Sequence, residues 1–322
     1  MKDEILKKLV GAFVHRTLDQ LQKDPLKTVK GLTDAAHYIF QGELLTRFEE
    51  ISHKVQTDVN DPYRKLLFHI SKHGRVDDLY TKLMNTGYQG YYLGTEKAHK
   101  LAKEEGLHVP RALFTGVDEA HTNEYDKLLR QAQELGIGIQ YLWAEDSSAL
   151  FPVVKKYPDM MFVMFFKSIP DESVIPSLVK AENVLAVFDH KDENVPTFVK
   201  KLEDNKVLYS LYENYGTEDL SSIRDLSVFD TFPDLSPIIF FFFSKEETSA
   251  YFKEIGQLFR KMRKQQVLPC IPWETDQDSR LLNSLFLRKD TMFHITKDGS
   301  FKEDPSKNVY NDSLRNILKQ AS

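Results

Sequence analysis

From residue 109 onward, short apolar segments alternate with amphipathic stretches of helical length, and this alternation is the strongest constraint on the fold. The apolar segments are Arg111–Thr115, Gly138–Trp143, Met160–Phe166, Val184–Phe188, Val207–Tyr212, Ile238–Phe243 and Val267–Ile271. Continuous apolar strands separated by helices are typical of a parallel sheet that is covered on both faces. The succession of these units predicts an α/β fold built as a partial or complete TIM-like (β/α) barrel.

The residues on either side of this alternation have a different pattern. Residues 1–108 carry apolar side chains at helical spacing and are predicted to form a helical N-terminal region that packs on the barrel. Within it, Gly87, Gly90 and Gly94 are interpreted as the turn that links the helices to the barrel. Residues 109–275 are assigned to the barrel core. Residues 276–322 are assigned to a C-terminal extension with a β-hairpin around Asp298-Gly299 and a final helix.

The charge balance and the cysteine count exclude several classes of function. The 43 Lys and Arg residues against 48 Asp and Glu residues give a formal net charge of −5 at pH 7. Nucleic-acid-binding proteins usually carry a basic excess, so we expect no nucleic-acid partner. The single cysteine, Cys270, excludes disulfides within the chain and any iron–sulfur cluster held by three of its own thiolates. Its apolar neighbours favour a buried structural thiol over a nucleophile.

The N-terminal segment and the longest apolar run indicate where the protein is expected to reside. The first residues are charged, and no uninterrupted apolar region of the kind found in secretory signals follows them. The most apolar run, Ile238–Phe243, is far shorter than the roughly 20 residues needed to cross a bilayer. We therefore expect a cytoplasmic protein without a membrane span.

The order of parts resembles that of a group of radical S-adenosylmethionine (radical SAM) proteins. That group combines a helical N-terminal region, a partial TIM-like barrel and a C-terminal extension of the SPASM/twitch type that carries a hairpin. The segments similar to the corresponding parts of that group are Asp24–Lys30, Asp61–Leu67, Gly106–Phe114, Glu134–Leu142 and Met292–Phe301. The resemblance extends over most of the chain and implies a shared architecture.

The catalytic motifs of that group are missing from this sequence. The loop after the first barrel strand of the family carries CxxxCxxC, whose three thiolates hold a four-iron four-sulfur cluster, whereas Thr115–Asn123 contains no cysteine. The family's GGEP-like turn after the second strand contacts the methionine amino group, whereas Ala144–Ser148 contains neither glycine nor proline. The resemblance thus implies a degenerate relative without cluster cysteines, a pseudoenzyme for which we expect no cofactor. It would act by binding a ligand or a protein partner, an active radical SAM protein among them.

Polar residues at the carboxyl ends of the predicted strands form the candidate site, because TIM-like barrels keep their working residues there. The candidate ligand-binding residues are Glu145, Asp146, Asp189, His190, Glu213, Trp273 and Glu274. Of these, Glu145, Asp189, His190 and Glu213 would also suit a divalent metal, because such ions bind carboxylates and imidazole. The alternative is that these residues only cap helices and turns, where Asp and Ser are favoured.

Two hypotheses about function follow from this reading of the sequence. The first is a non-catalytic, radical-SAM-like pseudoenzyme that works as a binding or partner protein. The second is an enzyme of another class, in which a metal or a carboxylate–histidine pair at the acidic mouth of the barrel performs the chemistry. His190 beside Asp189 is the candidate general base of the second hypothesis. Trp273 could line a ligand pocket or seal the barrel against the C-terminal extension.

Overall fold

The alternating segments fold into parallel strands of one sheet in the computed structural model, which describes residues 2–39, 43–144, 148–230, 235–245, 250–287 and 292–321. The strands are Ala112–Val117 (β1), Ile139–Ala144 (β2), Met161–Phe166 (β3), Val184–Asp189 (β4), Tyr209–Tyr215 (β5), Ile239–Ser244 (β6), Ile271–Glu274 (β7) and His294–Ile295 (β8). Their order in the sheet is β7-β6-β5-β4-β3-β2-β1-β8. Parallel strands that follow one another in this way form a partial TIM-like barrel, and the predicted α/β class is confirmed.

Helices precede the first strand and connect the later ones. They span Lys2–Lys23 (α1), Pro25–Ile39 (α2), Glu43–Thr57 (α3), Pro62–His73 (α4), Val76–Leu83 (α5), Gly94–Glu105 (α6), Thr122–Leu135 (α7), Phe151–Val154 (α8), Ile175–Lys180 (α9), Val195–Asp204 (α10), Leu220–Arg224 (α11), Ala250–Gln265 (α12), Thr275–Leu287 (α13) and Leu314–Ala321 (α14). Their ends follow local chemistry. Asp61 caps α4 by accepting a hydrogen bond from the Arg64 amide, and Gly136 ends α7 with a left-handed φ of 81°.

The chain divides into two compact units, each built from two stretches of sequence. The first unit contains residues 1–80 and 199–274, and the second contains residues 81–198 and 275–322. In the first unit, Leu18 and Leu21 of α1 pack with Leu79 and Leu208 in one buried cluster. In the second unit, β1 to β4 and β8 form the sheet, and buried aromatic and aliphatic side chains cover both of its faces.

The glycines at residues 87, 90 and 94 do not form the predicted turn. Residues 84–93 continue α5 as a π-helix, and Gly94 begins α6 without a break. A Cβ atom on Gly138 would lie 2.9 Å from the Cα of Gly90, so these glycines allow the π-helix to approach the start of β2. Close packing, rather than a change of chain direction, is the reason for glycine at residues 90 and 94.

The last two strands also differ from the sequence-based assignment. The segment Val267–Ile271 was predicted as a strand, but β7 begins only at its last residue and ends at Glu274. The Val267 amide still bonds the Met262 carbonyl at the end of α12, and Pro269 has no amide to donate to a neighbouring strand. The predicted hairpin forms as an antiparallel bridge between Ile295 and Phe301, and its first strand, β8, pairs in parallel with β1.

Gly94 provides a test of the packing around a buried cation. Arg111 is 1% exposed and donates to the backbone oxygens of Gly136 and Val109. A Cβ atom on Gly94 would overlap Arg111 Nη1 and lie 2.6 Å from the Gly136 oxygen. We expect Gly94→Ala to lower the free energy of unfolding by about 2–4 kcal/mol, because the guanidinium would lose its acceptors while still buried. Urea denaturation measures the change.

Gly87→Ala is the matched control for that substitution. No atom lies within 4 Å of a Cβ atom built on Gly87, and this residue is in the π-helix that directly precedes α6. We expect Gly87→Ala to leave stability unchanged or to raise it by up to about 1 kcal/mol, because alanine is the better helix former. Equal destabilisation by the two substitutions would contradict the role assigned to Gly94.

Candidate functional site

The strands of the second unit present two faces with different neighbours. One face carries Phe166 and Phe188, and the Phe188 ring lies 5.3 Å from the ring of Phe198 on α10. The opposite face carries a row of stacked aromatic rings. In this row the Phe114 and Tyr141 rings lie 4.4 Å apart. We call this second surface the aromatic face; it consists of Phe114, Tyr141, Trp143, Val163, Phe165, Leu185 and Val187, which share one side of the sheet by register.

Helix α13 of the same chain lies against the aromatic face. Its Ser279 hydroxyl lowers the pKa of Tyr141 and its Asp278 carboxylate raises it, while burial has the largest effect and brings the pKa to about 12. Further along, the Asp276 carboxylate pairs with His294 of β8, whose ring lies 4.9 Å from Phe114. The polar side chains of α13 that are buried by this packing are Thr275, Asp276, Asp278, Ser279 and Asn283. Helix α13 therefore covers the part of the aromatic face that contains Phe114 and Tyr141.

His294 lies between two carboxylates. Its Nε2 atom is 3.3 Å from Asp276 Oδ1, and its Nδ1 atom is 2.6 Å from Glu303 Oε1. The Glu303 carboxylate also accepts the His294 backbone amide at 3.1 Å. Burial alone would lower the pKa of His294, but the two carboxylates outweigh it and raise that pKa to about 9. The same contact lowers the pKa of Glu303 although burial opposes the change.

This arrangement holds three segments together: the start of α13, strand β8 and the residues that follow the hairpin turn. Because the pKa of His294 exceeds neutral pH, the imidazole is positively charged; it is hydrogen-bonded to Glu303 and within ion-pair distance of Asp276. An imidazolium between two acids is a poor general base, because it has no lone pair to accept a proton. The cluster is therefore suited to holding segments together rather than to moving protons.

The predicted site residues Asp189 and His190 lie at the end of β4. The Asp189 carboxylate accepts the Lys191 amide at 3.0 Å, and His190 is half-buried. Asp192 in the same loop accepts the amides of Ile169 and Asn194, at 3.1 and 2.9 Å. The bonds to the Lys191 and Asn194 amides, each two residues further along, are those of Asx turns, whereas the bond to Ile169 joins two loops. A ligand role for Asp189 and His190 stays a prediction.

The predicted site residues Glu213, Trp273 and Glu274 belong to the first unit. By register, Glu213 of β5 and Glu274 of β7 flank Phe242 of β6, whose ring lies 4.5 Å from Phe259 on α12. The two carboxylates thus share the side of the sheet on which α12 packs. They are 2% and 0% exposed, and Glu274 accepts a hydrogen bond from the Tyr215 hydroxyl at 3.2 Å.

Trp273 lies on the opposite side of β7 from Glu274, as alternation along a strand requires. The guanidinium carbon of Arg263 is 5.5 Å from the centre of its ring, within the range of a cation–π contact. Arg263 also donates to the Pro272 carbonyl. The remaining predicted site residues, Glu145 and Asp146, lie outside the described residues. Within the described ranges, no group of three or more His, Cys, Asp and Glu side chains is arranged to hold a metal ion.

In the loop after β1, the side chains of Asp118 and His121 are already hydrogen-bonded to each other. His121 donates its backbone amide to the Asp118 carboxylate at 3.1 Å, and its Nδ1 atom lies 2.7 Å from the same oxygen. These bonds lower the pKa of Asp118, and the His121 ring stacks on Tyr310 at 5.4 Å. Iron–sulfur clusters are held by thiolates, so this loop does not fit one.

The thiol of the chain is placed elsewhere and is inert. Cys270 is 4% exposed and precedes β7, and burial raises its pKa to about 12. A buried thiol with a raised pKa is neither a good nucleophile nor a good metal ligand at neutral pH. The sequence-based interpretation of Cys270 as a buried cysteine is confirmed.

Comparisons with known proteins find similarity at the level of the fold. No protein-family model matches the sequence, and no curated protein matches it. Among solved structures, Streptococcus suis SuiB bound to precursor peptide SuiA has a TM-score of 0.50 at 10% sequence identity, over 81% of this chain and 82% of that chain. The SuiB structure without its peptide gives 0.49 at 11% identity, and SuiB bound to S-adenosylmethionine gives 0.49 at 10%, each with the same coverage.

This chain therefore shares its fold with SuiB over most of its length. The expected architecture is confirmed to that extent, whereas the expected loss of catalysis is a separate question. At this level of identity the comparison bears on the fold alone. One further finding concerns location: the part of the chain that the structure describes contains no helix with the length and apolar character needed to cross a membrane.

Sequence reasoning missed His294, Asp276 and Glu303. His294 stands between two buried apolar residues, Phe293 and Ile295, which is a signal that its imidazole needs a polar partner in the core. Glu303 follows the Asp298-Gly299 turn and faces His294 across the hairpin. The position of the turn in the sequence could therefore have been used to predict that these two residues are neighbours. Asp276 gave no such signal, because α13 was not placed against the sheet.

His294 predicts a specific dependence of stability on pH. A histidine whose folded pKa is raised from 6.5 to about 9 stabilises the fold fully below its unfolded pKa, and this contribution is lost as the pH rises through about 9. The contribution is on the order of 3 kcal/mol. We expect the stability difference between the wild type and His294→Gln to be largest near pH 6 and to shrink by pH 10, measured by urea denaturation.

His99→Gln is the control for that measurement, because His99 is exposed on α6. Its stability difference from the wild type should be small, because the substitution is at an exposed position. A difference for His294→Gln that did not change between pH 6 and pH 10 would show that His294 is uncharged in the fold.

The buried thiol predicts slow chemical labelling. We expect a water-soluble disulfide reagent at pH 8 to modify Cys270 at least about 100-fold more slowly in the folded protein than in urea, because the thiolate is rarely formed and hardly accessible. A Cys270→Ala, Ser284→Cys variant places the thiol on the exposed side of α13 and should react quickly when folded. Comparable rates for the two folded proteins would contradict the burial of Cys270.

Proposed function

We propose that this chain is a non-catalytic protein of the radical SAM-like fold that acts by binding a protein partner. The observation that carries the proposal is the distribution of thiols. A radical SAM cluster needs three thiolates in the loop after the first strand, whereas that loop has an Asp118–His121 turn and the one cysteine of the chain is buried before β7. Cys270 cannot be recruited, because it is not free to move away from its apolar surroundings.

The packing of α13 supports the same proposal. In a TIM-like barrel the working residues surround the strand ends, and a substrate must reach them. Here α13 contacts the aromatic face at Tyr141, and Phe165 and Val187 of the same face are completely inaccessible to solvent. An ion cluster between a helix and a sheet is costly to break, because separating the pairs would leave uncompensated buried charges. A substrate could reach this face only if the free energy of separating these charges were supplied.

The metal-dependent alternative lacks a comparable observation. Asp189 bonds a neighbouring amide, and Glu274 bonds Tyr215. The nature of the partner follows from the fold only by analogy. An active radical SAM protein is the partner that the shared architecture suggests.

Reconstitution with iron and sulfide tests the loss of cluster chemistry. The full chain, treated anaerobically beside a radical SAM protein that has the CxxxCxxC motif, is expected to remain colourless and to hold far less than one iron per chain. One cysteine cannot supply three thiolates. A broad visible absorption band together with about four irons per chain would refute the proposal.

Titration calorimetry with S-adenosylmethionine provides an independent measurement. In the family the amino and carboxylate groups of this cofactor chelate the cluster, and the GGEP-like turn accepts hydrogen bonds from the amino group. Loss of both anchors is expected to weaken binding by at least about 100-fold relative to the same motif-bearing protein. Micromolar affinity for S-adenosylmethionine would mean that a cofactor pocket persists, and the proposal would then be withdrawn.

A further inference from the structure

Helix α1 has two apolar faces, of which only one is used within the fold. Leu18 and Leu21 are buried in the core of the first unit. On the opposite side, Ile5, Leu9 and Phe13 follow one another at intervals of four residues and are 55%, 65% and 48% exposed. Residues four apart lie on one side of a helix, so these three form a continuous stripe. A contiguous exposed apolar stripe on an otherwise polar helix is typical of an interaction surface.

The stripe leads into a groove between α1 and α2. Phe13 and Leu32 provide apolar walls of a space of roughly 1040 Å³ that is open to solvent. Arg16, Lys27 and Lys30 line the same groove and are exposed. Asp34 is the acidic residue among the lining side chains. Within the described residues, none of the three cations forms an ion pair, so their charges are available to a partner.

The charge of the groove identifies the kind of occupant. The chain as a whole carries −5, yet this groove carries three cations against one carboxylate. An occupant with acidic side chains beside an apolar stripe would match both features, because electrostatic complementarity determines which partner is accepted. A second copy of the chain would instead bring the same cations against Arg16, Lys27 and Lys30, and like charges placed together repel.

We propose that the α1–α2 groove, with the stripe Ile5, Leu9 and Phe13, docks an acidic amphipathic helix of a partner protein. This inference rests on the proposed function and names the chemistry of the partner. Apolar residues of the docked helix lie along the stripe at i, i+4 and i+7 spacing. Its carboxylates meet Arg16, Lys27 and Lys30 at the end where the stripe enters the groove.

The experiment measures binding of a synthetic peptide to the full chain. The probe is a labelled helical peptide of about 18 residues with leucines along one side and glutamates on the other, and its partner probe has lysine in place of each glutamate. Fluorescence anisotropy at low ionic strength reports the two dissociation constants. We expect the acidic peptide to bind at least tenfold more tightly than the basic one, and added salt to reduce the difference.

Two pairs of substitutions separate the apolar and the electrostatic contributions. Leu9→Asp with Phe13→Asp removes the apolar character of the stripe, and Lys27→Glu with Lys30→Glu reverses the charge of the groove. Each pair is expected to weaken binding of the acidic peptide at least tenfold. Val59→Asp and Lys100→Glu are the matched controls, because Val59 is 68% exposed and Lys100 is exposed on α6. Circular dichroism melts confirm that all variants are folded, as expected for changes at exposed positions.

Several outcomes would overturn the inference. Equal affinity for the two peptides, or a loss of affinity with the control substitutions equal to that with the stripe substitutions, would contradict it. If the wild type self-associates and the pair Leu9→Asp with Phe13→Asp abolishes this self-association, the stripe binds a second copy of the chain. Tighter binding to vesicles containing phosphatidylglycerol than to the acidic peptide, lost with the same substitutions, would assign it to a membrane surface. Iron reconstitution is independent of these measurements, so failure of the proposed function and failure of this surface can be distinguished.

Discussion

The imidazolium of His294, held between Asp276 and Glu303, is the interaction on which the arrangement of the second unit depends. It joins the first turn of α13 to β8, and β8 in turn pairs with β1 through the register of His294 with Phe114. Loss of the imidazolium would leave two partly buried carboxylates facing each other, and such a pair is strongly unfavourable. The position of α13 is therefore set by charge, while the aromatic contacts beneath it supply the buried area.

The aromatic face and the charged cluster support each other. Stacked rings such as Phe114 and Tyr141 contribute about 0.5–1.5 kcal/mol beyond the burial of their surface. They could equally well pack against other apolar side chains, so they do not by themselves select α13. Paired charges are demanding in geometry, and they permit only one placement of the helix. Many apolar segments could pack on the aromatic face. The charged cluster favours α13 as the segment that does so.

The parts of the fold that depend on local chemistry could be predicted, and the parts that depend on long-range pairing could not. The strands β1 to β6 are runs of apolar residues between helices, and the sequence located each within a few residues because burial on both faces requires such runs. Segment Val267–Ile271 has the same composition, but Pro269 and the end of α12 keep most of it out of the sheet. The π-helix was missed because glycine is as useful for close packing as for turns.

The candidate site illustrates the same limit. The approximate ends of the strands could be located from the sequence. The side of the sheet on which each residue lies could not, because a shift of one position along a strand moves a side chain to the opposite side. Glu274 ends β7, whereas Glu213 lies inside β5, which continues to Tyr215, and both share the side of Phe242, against which α12 packs. His294, in contrast, looked like an ordinary hairpin residue, because Asp276 is distant in sequence.

The proposed function explains how a fold of this kind can be useful without cluster chemistry. The sheet does not need the cluster loop for stability, since its strands are held by apolar packing and by backbone pairing. Under the function that we propose, the residues around the former active site are therefore free to change, and α13 can settle permanently on the aromatic face. Selection would then act on outward-facing positions. Ile5, Leu9 and Phe13 lie at such positions, and retaining exposed apolar side chains beside unpaired cations carries a risk of non-specific association. Under the function that we propose, that risk is removed when an acidic partner covers the stripe.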